Sequence, residues 1–275
     1  METNKIYQGD CLEILKTFPD ESINLIVTSP PYNKGFWSKN RNMNNGFKSF
    51  NHKNSTTIKT KSRRIEYGVY DDNVNPQEYI KNQKEVIKEC LRVLKKDGSL
   101  FYNHIDILSE HQTKHPVWVY DFPIKQVIIW NRKNTPKLDK SYFFPITEYI
   151  FWIQKTENSR TKFNRKVSIF NSNIWGINPD VKNKFPAPFP EELVKNCVLT
   201  TTNKGDIVLD CYSGSGTTAL VCVKTSRNYI GIELNPKFIE DTNERIQKEL
   251  SQSKLNNEVG IPPKPKVLGI LPTII

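Results

Sequence analysis

The sequence predicts an α/β fold, a mainly parallel sheet with helices on both faces. Three observations carry that reading. Short runs rich in β-branched residues alternate with longer segments of helical periodicity, and such alternation favours parallel strands joined by crossover helices. A glycine-rich turn links a strand to a helix near the C-terminus, in the sequence IVLDCYSGSGTTALVCV. No internal repeat replaces the pattern with a solenoid or an array.

The elements follow in order. Residues 23–29 (INLIVTS) form a short apolar run that ends at Pro30-Pro31 and read as a buried strand. Residues 76–98 carry apolar positions at Tyr79, Ile80, Val86, Ile87, Leu91 and Leu94. Pro76 stands at the start and Gly98 after the end, which predicts an amphipathic helix. Residues 99–105 follow as a strand, and 125–130 and 147–155 are two more, with Tyr149, Phe151 and Trp152 as core aromatics. A helix over 190–201 leads through Gly205-Asp206 into a strand at 207–212. A helix at 217–225, a strand at 228–234 and a helix at 235–251 complete the series. Residues 34–70 and 131–184 lack clear periodicity, and the tail from Gly260 is unassigned.

The chain has 275 residues, a length that suits one domain with insertions. At 37% hydrophobic and 25% charged residues it is ordinary globular material, and no apolar run approaches the roughly 20 residues of a membrane helix. The first residues lack the apolar core of a secretory signal. Cys11, Cys90, Cys197, Cys211 and Cys222 are scattered without a CxxC pair, so reduced thiols in a cytoplasm are expected, with neither disulfides nor zinc. His104, His111 and His115 lack metal spacing and are read as surface or packing residues.

The net charge is +11, and it is unevenly placed. Residues 34–64 hold nine Lys/Arg, six Asn and no acid, and residues 131–184 hold eleven Lys/Arg against four acids, leaving the rest of the chain at −5. Charge in two segments is a patch rather than a coat, and a basic patch suits nucleic acid.

Two turns carry chemistry. At the C-terminal one a strand ends in Asp210, Gly214 and Gly216 permit a tight turn, and Thr217 opens a helix. The next strand ends in Glu233, an acid placed to accept hydrogen bonds from ribose hydroxyls. No GK[ST] follows, so this is not a phosphate loop of the nucleotide triphosphatases. The motif implies an adenosine-like cofactor. The second turn is Thr28-Ser29-Pro30-Pro31-Tyr32-Asn33. Two prolines lock the backbone, aiming the Pro30 carbonyl in a fixed direction beside the Ser29 hydroxyl. Two rigid acceptors can grip the hydrogens of an exocyclic amino group, and Tyr32 offers a face on which a base can stack.

TSPPYN together with DCYSGSGTTAL resembles the beta group of S-adenosylmethionine-dependent DNA amino-methyltransferases, in which the catalytic turn precedes the cofactor turn. Tyr7-x-Gly9-Asp10-Cys11, residues 95–103 and residues 185–210 are similar to further segments of that group. The resemblance implies a Rossmann-like, circularly permuted methyltransferase domain with basic insertions. Ser29, Pro30, Pro31 and Tyr32 correspond to its catalytic tetrapeptide. Asp210, Tyr212, Gly214, Gly216, Thr217 and Glu233 correspond to its cofactor site, with Asp10 and Cys11 as further contacts. The cofactor implied is S-adenosylmethionine, with S-adenosylhomocysteine as product and no metal. Ser in the first tetrapeptide position is typical of N4-cytosine enzymes, whereas N6-adenine enzymes usually carry Asp.

The insertion beside the catalytic turn is expected to be mobile without DNA, with Lys61, Arg63 and Arg64 on phosphates. The segment 131–184 is expected to recognise the target through Arg132, Lys133, Lys137, Arg165 and Lys166, alongside Asn134, Asn171 and Asn173. Double-stranded DNA is the partner implied, in a prokaryotic cytoplasm, with a cognate restriction endonuclease and a homodimer left open. N6-adenine methylation, an RNA or small-molecule methyltransferase, and a non-catalytic DNA-binding protein are the alternatives.

Overall fold

The computed structural model describes residues 1–33, 36, 73–108, 113–133, 143, 145–180, 185 and 188–258. Apart from Phe36 the insertion 34–70 lies outside the described residues, as do His111, Asn134, Lys137 and the tail from Gly260. The chain runs β1 (Lys5–Gln8), α1 (Cys11–Lys16), β2 (Ile23–Thr28), α2 (Pro76–Val93), β3 (Leu94–His104), β4 (Ile107–Leu108), β5 (Thr113–Lys114), β6 (Ile124–Asn131), β7 (Thr147–Gln154) and β8 (Ile174–Gly176). It continues through α3 (Glu191–Thr201), β9 (Ile207–Asp210), α4 (Thr217–Thr225), β10 (Asn228–Glu233) and α5 (Pro236–Glu258). Short 3-10 turns lie at Val117–Asp121 and Arg165–Val167.

One eight-stranded sheet has the order β1-β10-β9-β2-β3-β7-β6-β8. Strands β1, β10, β9, β2 and β3 run parallel, and β7 alone is reversed between β3 and β6, with β8 parallel to β6. The sheet is therefore mostly parallel, as the alternating pattern predicts.

Period-two alternation along these strands builds two cores. Leu25, Val27, Phe101 and Val208 face α3, α4 and α5, where Leu193, Val194, Cys197, Val221 and Ile246 meet them. Ile26, Leu100, Tyr102, Leu209 and Ile230 face the other side, against Cys11 and Leu15 of α1 and Val86, Ile87, Cys90 and Val93 of α2. Each fully buried aliphatic side chain contributes about 1.5–3 kcal/mol. All five cysteines are free and buried. Among the described residues no helix is long and apolar enough to cross a membrane.

Two differences from the sequence reading have physical causes. The helix expected over 76–98 ends at Val93, because Leu94 leaves the helical region (φ −71°, ψ 134°) and pairs with Ile23. The ladder then resumes at Leu25–Ser99, so residues between Leu94 and Ser99 bulge out. Gly98 is not a helix cap but a close-approach point, since a Cβ there would lie 2.8 Å from the Leu94 side chain and 2.9 Å from the Asn24 carbonyl oxygen. The sequence reading does not include the short elements β1, α1 and β8: unlike β2, β9 and β10, they are not continuous apolar runs rich in β-branched residues.

Candidate active site

β2 and β9 are neighbours in the sheet although some 180 residues separate them in sequence. Their carboxyl ends lead into the two turns, so the parallel register delivers both to one edge of the sheet. Ligands of open parallel sheets bind at that edge. A cleft of about 320 Å³ lies there, and Ser29, Pro30, Pro31, Tyr32, Asp10, Cys11, Asp210, Tyr212, Gly214, Thr217 and Glu233 all line it. Among the described residues its lining includes three carboxylates and no Lys, Arg or His. Phe185, Phe189 and Phe238 supply an apolar wall, Phe185 and Phe238 meeting edge to face with centroids 5.2 Å apart.

The glycine turn is held by its own acids. Gly214 (φ 48°) donates its amide to Glu233 Oε2 at 2.8 Å, and the Asn235 amide donates to Glu233 Oε1 at 2.8 Å. Glu233 thus fixes the turn as well as facing the cleft. Gly216 is the one expected cofactor residue outside the lining. It precedes α4 with φ 69°, and a Cβ there would collide with the Thr242 side chain. The packing of α4 on α5 therefore requires glycine at this position whatever the cleft holds. Ser213 Oγ is buried and has no partner among the described residues.

Asp210 joins the two turns. Its carboxylate accepts from Thr28 Oγ1 at 2.9 Å, Thr218 Oγ1 at 2.8 Å and the Tyr212 amide at 3.2 Å. Burial pushes its pKa up to about 6, the three hydrogen bonds opposing the rise. Asp10 caps α1, its Oδ1 accepting from the Leu12 and Glu13 amides at 2.9 and 3.1 Å. Cys11 is a packed thiol that burial pushes above the ordinary range.

On the catalytic turn, Tyr32 is buried and its hydroxyl lies 2.6 Å from Ser29 Oγ. Asn103 Nδ2 donates to the same Tyr32 oxygen and, at 2.8 Å, to Glu148 Oε2. The Tyr32 ring sits 5.2 Å from the His104 ring, tilted by 54°. The Pro31 carbonyl accepts from Tyr79 Oη at 2.9 Å, which also lies 3.1 Å from His104 Nε2. His104 is therefore a packed residue, and His115 is tied to Asp106 at 2.6 Å. Among the described residues no group of three His, Cys, Asp or Glu side chains is placed to hold a metal. Asn33 (φ 54°) closes the turn by a reciprocal pair with the Val74 backbone, its Nδ2 donating at 2.7 Å and its Oδ1 accepting at 2.9 Å. The described residues that flank the basic insertion are thereby joined beside the Ser-Pro-Pro-Tyr turn.

The expected DNA contacts divide. Arg132 and Lys133 follow β6 at the catalytic edge, where Arg132 Nη1 donates to Glu148 Oε1 at 2.9 Å and Lys133 is exposed. Arg165 and Lys166 are exposed at the opposite edge. Their 3-10 turn is anchored by the Asn164 amide to Thr200 O at 2.7 Å, and Lys162 reaches Asp97 O and Asp206 near the starts of β3 and β9. The structure does not bring these two to the catalytic turn, because the segment after β7 leaves the sheet at the end remote from that turn. Lys61, Arg63, Arg64 and Lys137 lie outside the described residues. Sequence reasoning missed Gln83, Asn103 and Glu148. Gln83 links Tyr212 Oη at 3.1 Å to Tyr102 Oη at 2.8 Å. Gln83 and Glu148 sit in no motif, and Asn103 ends the similar segment 95–103 without a role assigned to it; each matters through its neighbours in space.

Comparison with known proteins bears on the family and the fold. A family model described as DNA methylase matches residues 23–244. The chain is 30% identical to the type II methyltransferase M2.MboI of Moraxella bovis, over 88% of this chain and 87% of that one. It is 28% identical to the DNA adenine methyltransferase YhdJ of Escherichia coli K12, over 87% and 81% of the two chains. The solved PvuII DNA methyltransferase, described as cytosine-N4-specific, superposes with a TM-score of 0.64 at 20% identity, covering 92% of this chain and 93% of that one. That last likeness establishes the fold.

Proposed function

The chain belongs to the N6/N4 DNA methylase family, and from that premise we propose that it methylates the exocyclic N4 amino group of cytosine within a specific sequence of duplex DNA, using S-adenosylmethionine. The observation that carries this reading is the shared cleft: a Ser-Pro-Pro-Tyr turn and an acid-lined glycine turn face one another across it. The cleft suits the cofactor. Asp10, Asp210 and Glu233 complement a cationic ligand, the three phenylalanines offer an apolar wall for adenine, and Ser213 Oγ supplies a buried hydroxyl beside them. Bound there, S-adenosylmethionine supplies an electrophilic methyl group on a positively charged sulfur.

The protein's own part is positioning and electrostatics. The target cytosine is reached only outside the duplex, so it is flipped towards Tyr32. Ser29 Oγ and the Pro30 carbonyl accept the two amino hydrogens, drawing the nitrogen lone pair out of the ring system and towards the methyl donor. The buried walls exclude water from the line of transfer. The rigidity of Pro30-Pro31 keeps the acceptors from relaxing towards one another.

The choice of cytosine rests on Ser29 at the first position of the tetrapeptide. The adenine-specific relative supports the other target, N6 of adenine. Incubating unmodified genomic DNA with the protein and labelled cofactor, then digesting to nucleosides, separates the two: N4-methylcytosine is expected, and labelled N6-methyladenine alone refutes the cytosine assignment. A role beside a cognate restriction endonuclease belongs to the same proposal. Protection of the modified DNA from cleavage tests it, and sedimentation tests the homodimer.

A further inference from the structure

Behind the Ser-Pro-Pro-Tyr turn lies an ion pair that the motifs do not include, its carboxylate buried and its guanidinium partly exposed. Glu148, on the reversed strand β7, is 7% exposed, and Asn103, near the end of β3, is 1% exposed. Glu148 Oε1 accepts from Arg132 Nη1 at 2.9 Å. Its Oε2 accepts from Asn103 Nδ2 at 2.8 Å and lies 3.4 Å from Tyr32 Oη. Asn103 Nδ2 also donates to Tyr32 Oη and lies 3.4 Å from Ser29 Oγ. Asn103 Oδ1 and Arg132 Nε are buried without partners among the described residues.

Such a cluster is a poor way to stabilise a fold. Burying the Glu148 carboxylate costs desolvation that its attraction to a partly exposed Arg132 offsets only in part. Orphaned polar atoms add a further cost. The cost falls directly behind Ser29 and Tyr32, whose hydroxyls are 2.6 Å apart. Either hydroxyl can donate in that contact, so something outside the pair must choose. The carboxylate is that asymmetric element, because it only accepts. It fixes the Asn103 amide with its NH₂ towards Tyr32, and it draws the Tyr32 proton inward. Tyr32 Oη is then left to accept from Ser29, and Ser29 Oγ faces the cleft with lone pairs rather than its proton.

We propose that Glu148 is a positioning residue for methyl transfer, which through Asn103 and Tyr32 turns the Ser29 hydroxyl into an acceptor for the target amino group. The inference rests on the methyltransferase reading. It adds a requirement that the Ser-Pro-Pro-Tyr turn alone does not contain, and it ties the catalytic turn to Arg132 in the expected recognition segment.

Glu148→Gln tests it, since glutamine keeps the shape but places a donor against one of its present neighbours. Initial methylation rates are measured on saturating unmodified genomic DNA, with cofactor affinity by calorimetry and melting temperature in parallel. E148Q is expected to lower kcat about 10- to 100-fold, the usual effect of removing a residue that orients a reacting group. Cofactor affinity stays within about threefold, because Glu148 does not line the cofactor cleft. The double variant N103D/E148Q exchanges amide and carboxylate, so the carboxylate introduced at position 103 accepts directly from both hydroxyls. It is expected to recover most of the lost kcat. An unchanged kcat in E148Q overturns the proposal. So does a parallel loss of activity, cofactor binding and melting temperature that the exchange fails to rescue, which marks a purely structural pair. If the wild-type protein transfers no methyl group to DNA, the methyltransferase reading falls and this inference with it.

Discussion

Single side chains in this site do two jobs at once. Tyr32 offers its ring to the cleft and its hydroxyl to a buried network. Tyr32→Ala, which removes ring and hydroxyl together, is expected to lower methylation at least about fivefold while leaving cofactor affinity nearly intact, since base–aromatic stacking alone is worth about 1–3 kcal/mol; equal losses in turnover and calorimetric cofactor affinity count against the stacking role. Asp210 has a pH signature. Burial raises its pKa to about 6, against the hydrogen bonds of Thr218, Thr28 and Tyr212, and nearby Glu233 adds to the rise. A carboxyl with a raised folded pKa contributes stability below the ordinary carboxylate range and loses it as pH climbs through about 6. Cofactor binding runs the other way, because a cation prefers the ionised form. Affinity for S-adenosylmethionine is therefore expected to rise by up to about tenfold in all from about pH 5 to about pH 7, and Asp210→Asn should flatten that rise. Titration calorimetry across the range checks it, and an equally steep rise in the variant removes Asp210 as its source. The residue identities of both turns were legible in the sequence. The hydrogen bond from Thr28 to Asp210 was not, since it spans 182 positions.

At the level of elements, the site is a product of strand order. Placing β9 beside β2 sets the glycine turn against the proline turn, and Glu233 at the end of β10 then reaches back to Gly214. The helix that follows is pinned by sterics. Gly216 adopts φ 69° against Thr242 of α5, so Gly216→Ala suffers both a strained backbone and a collision with that side chain. A loss of about 1–3 kcal/mol is expected in denaturant unfolding. Adding Thr242→Ala should relieve the collision but not the backbone, recovering part of the loss; full recovery would show that the backbone costs nothing. Most longer elements were predictable because 8 to 23 residues give periodicity a chance to register. The boundary at Leu94 was not, because Lys95, Lys96 and Asp97 fit a solvent-facing helix as well as the bulge they form.

Across the whole molecule, charge and fold are separated. The cleft at the carboxyl edge is lined by three carboxylates, whereas the excess positive charge of the sequence lies in residues 34–64 and 131–184. Asn33 and Val74, which flank the insertion, are joined beside the catalytic turn, which supports DNA contacts there, whereas Arg165 and Lys166 occupy the far edge. Neutralising Lys61, Arg63 and Arg64 together is expected to reduce the slope of log affinity against log salt by about three. Neutralising Arg165 and Lys166 should leave that slope unchanged; fluorescence anisotropy across a salt series reads both, and the reverse pattern would move the DNA to the other edge. The sequence by itself determined the alternating fold and the two turns, because hydrophobic periodicity, locked prolines and permissive glycines are properties of neighbouring residues. Only the tertiary structure decided that the turns share one cleft, that Gly216 serves packing, and that Glu148 and Asn103 stand behind Ser29. Those relations depend on which strands lie side by side, and in a parallel sheet the crossovers make neighbours of residues that no local pattern connects.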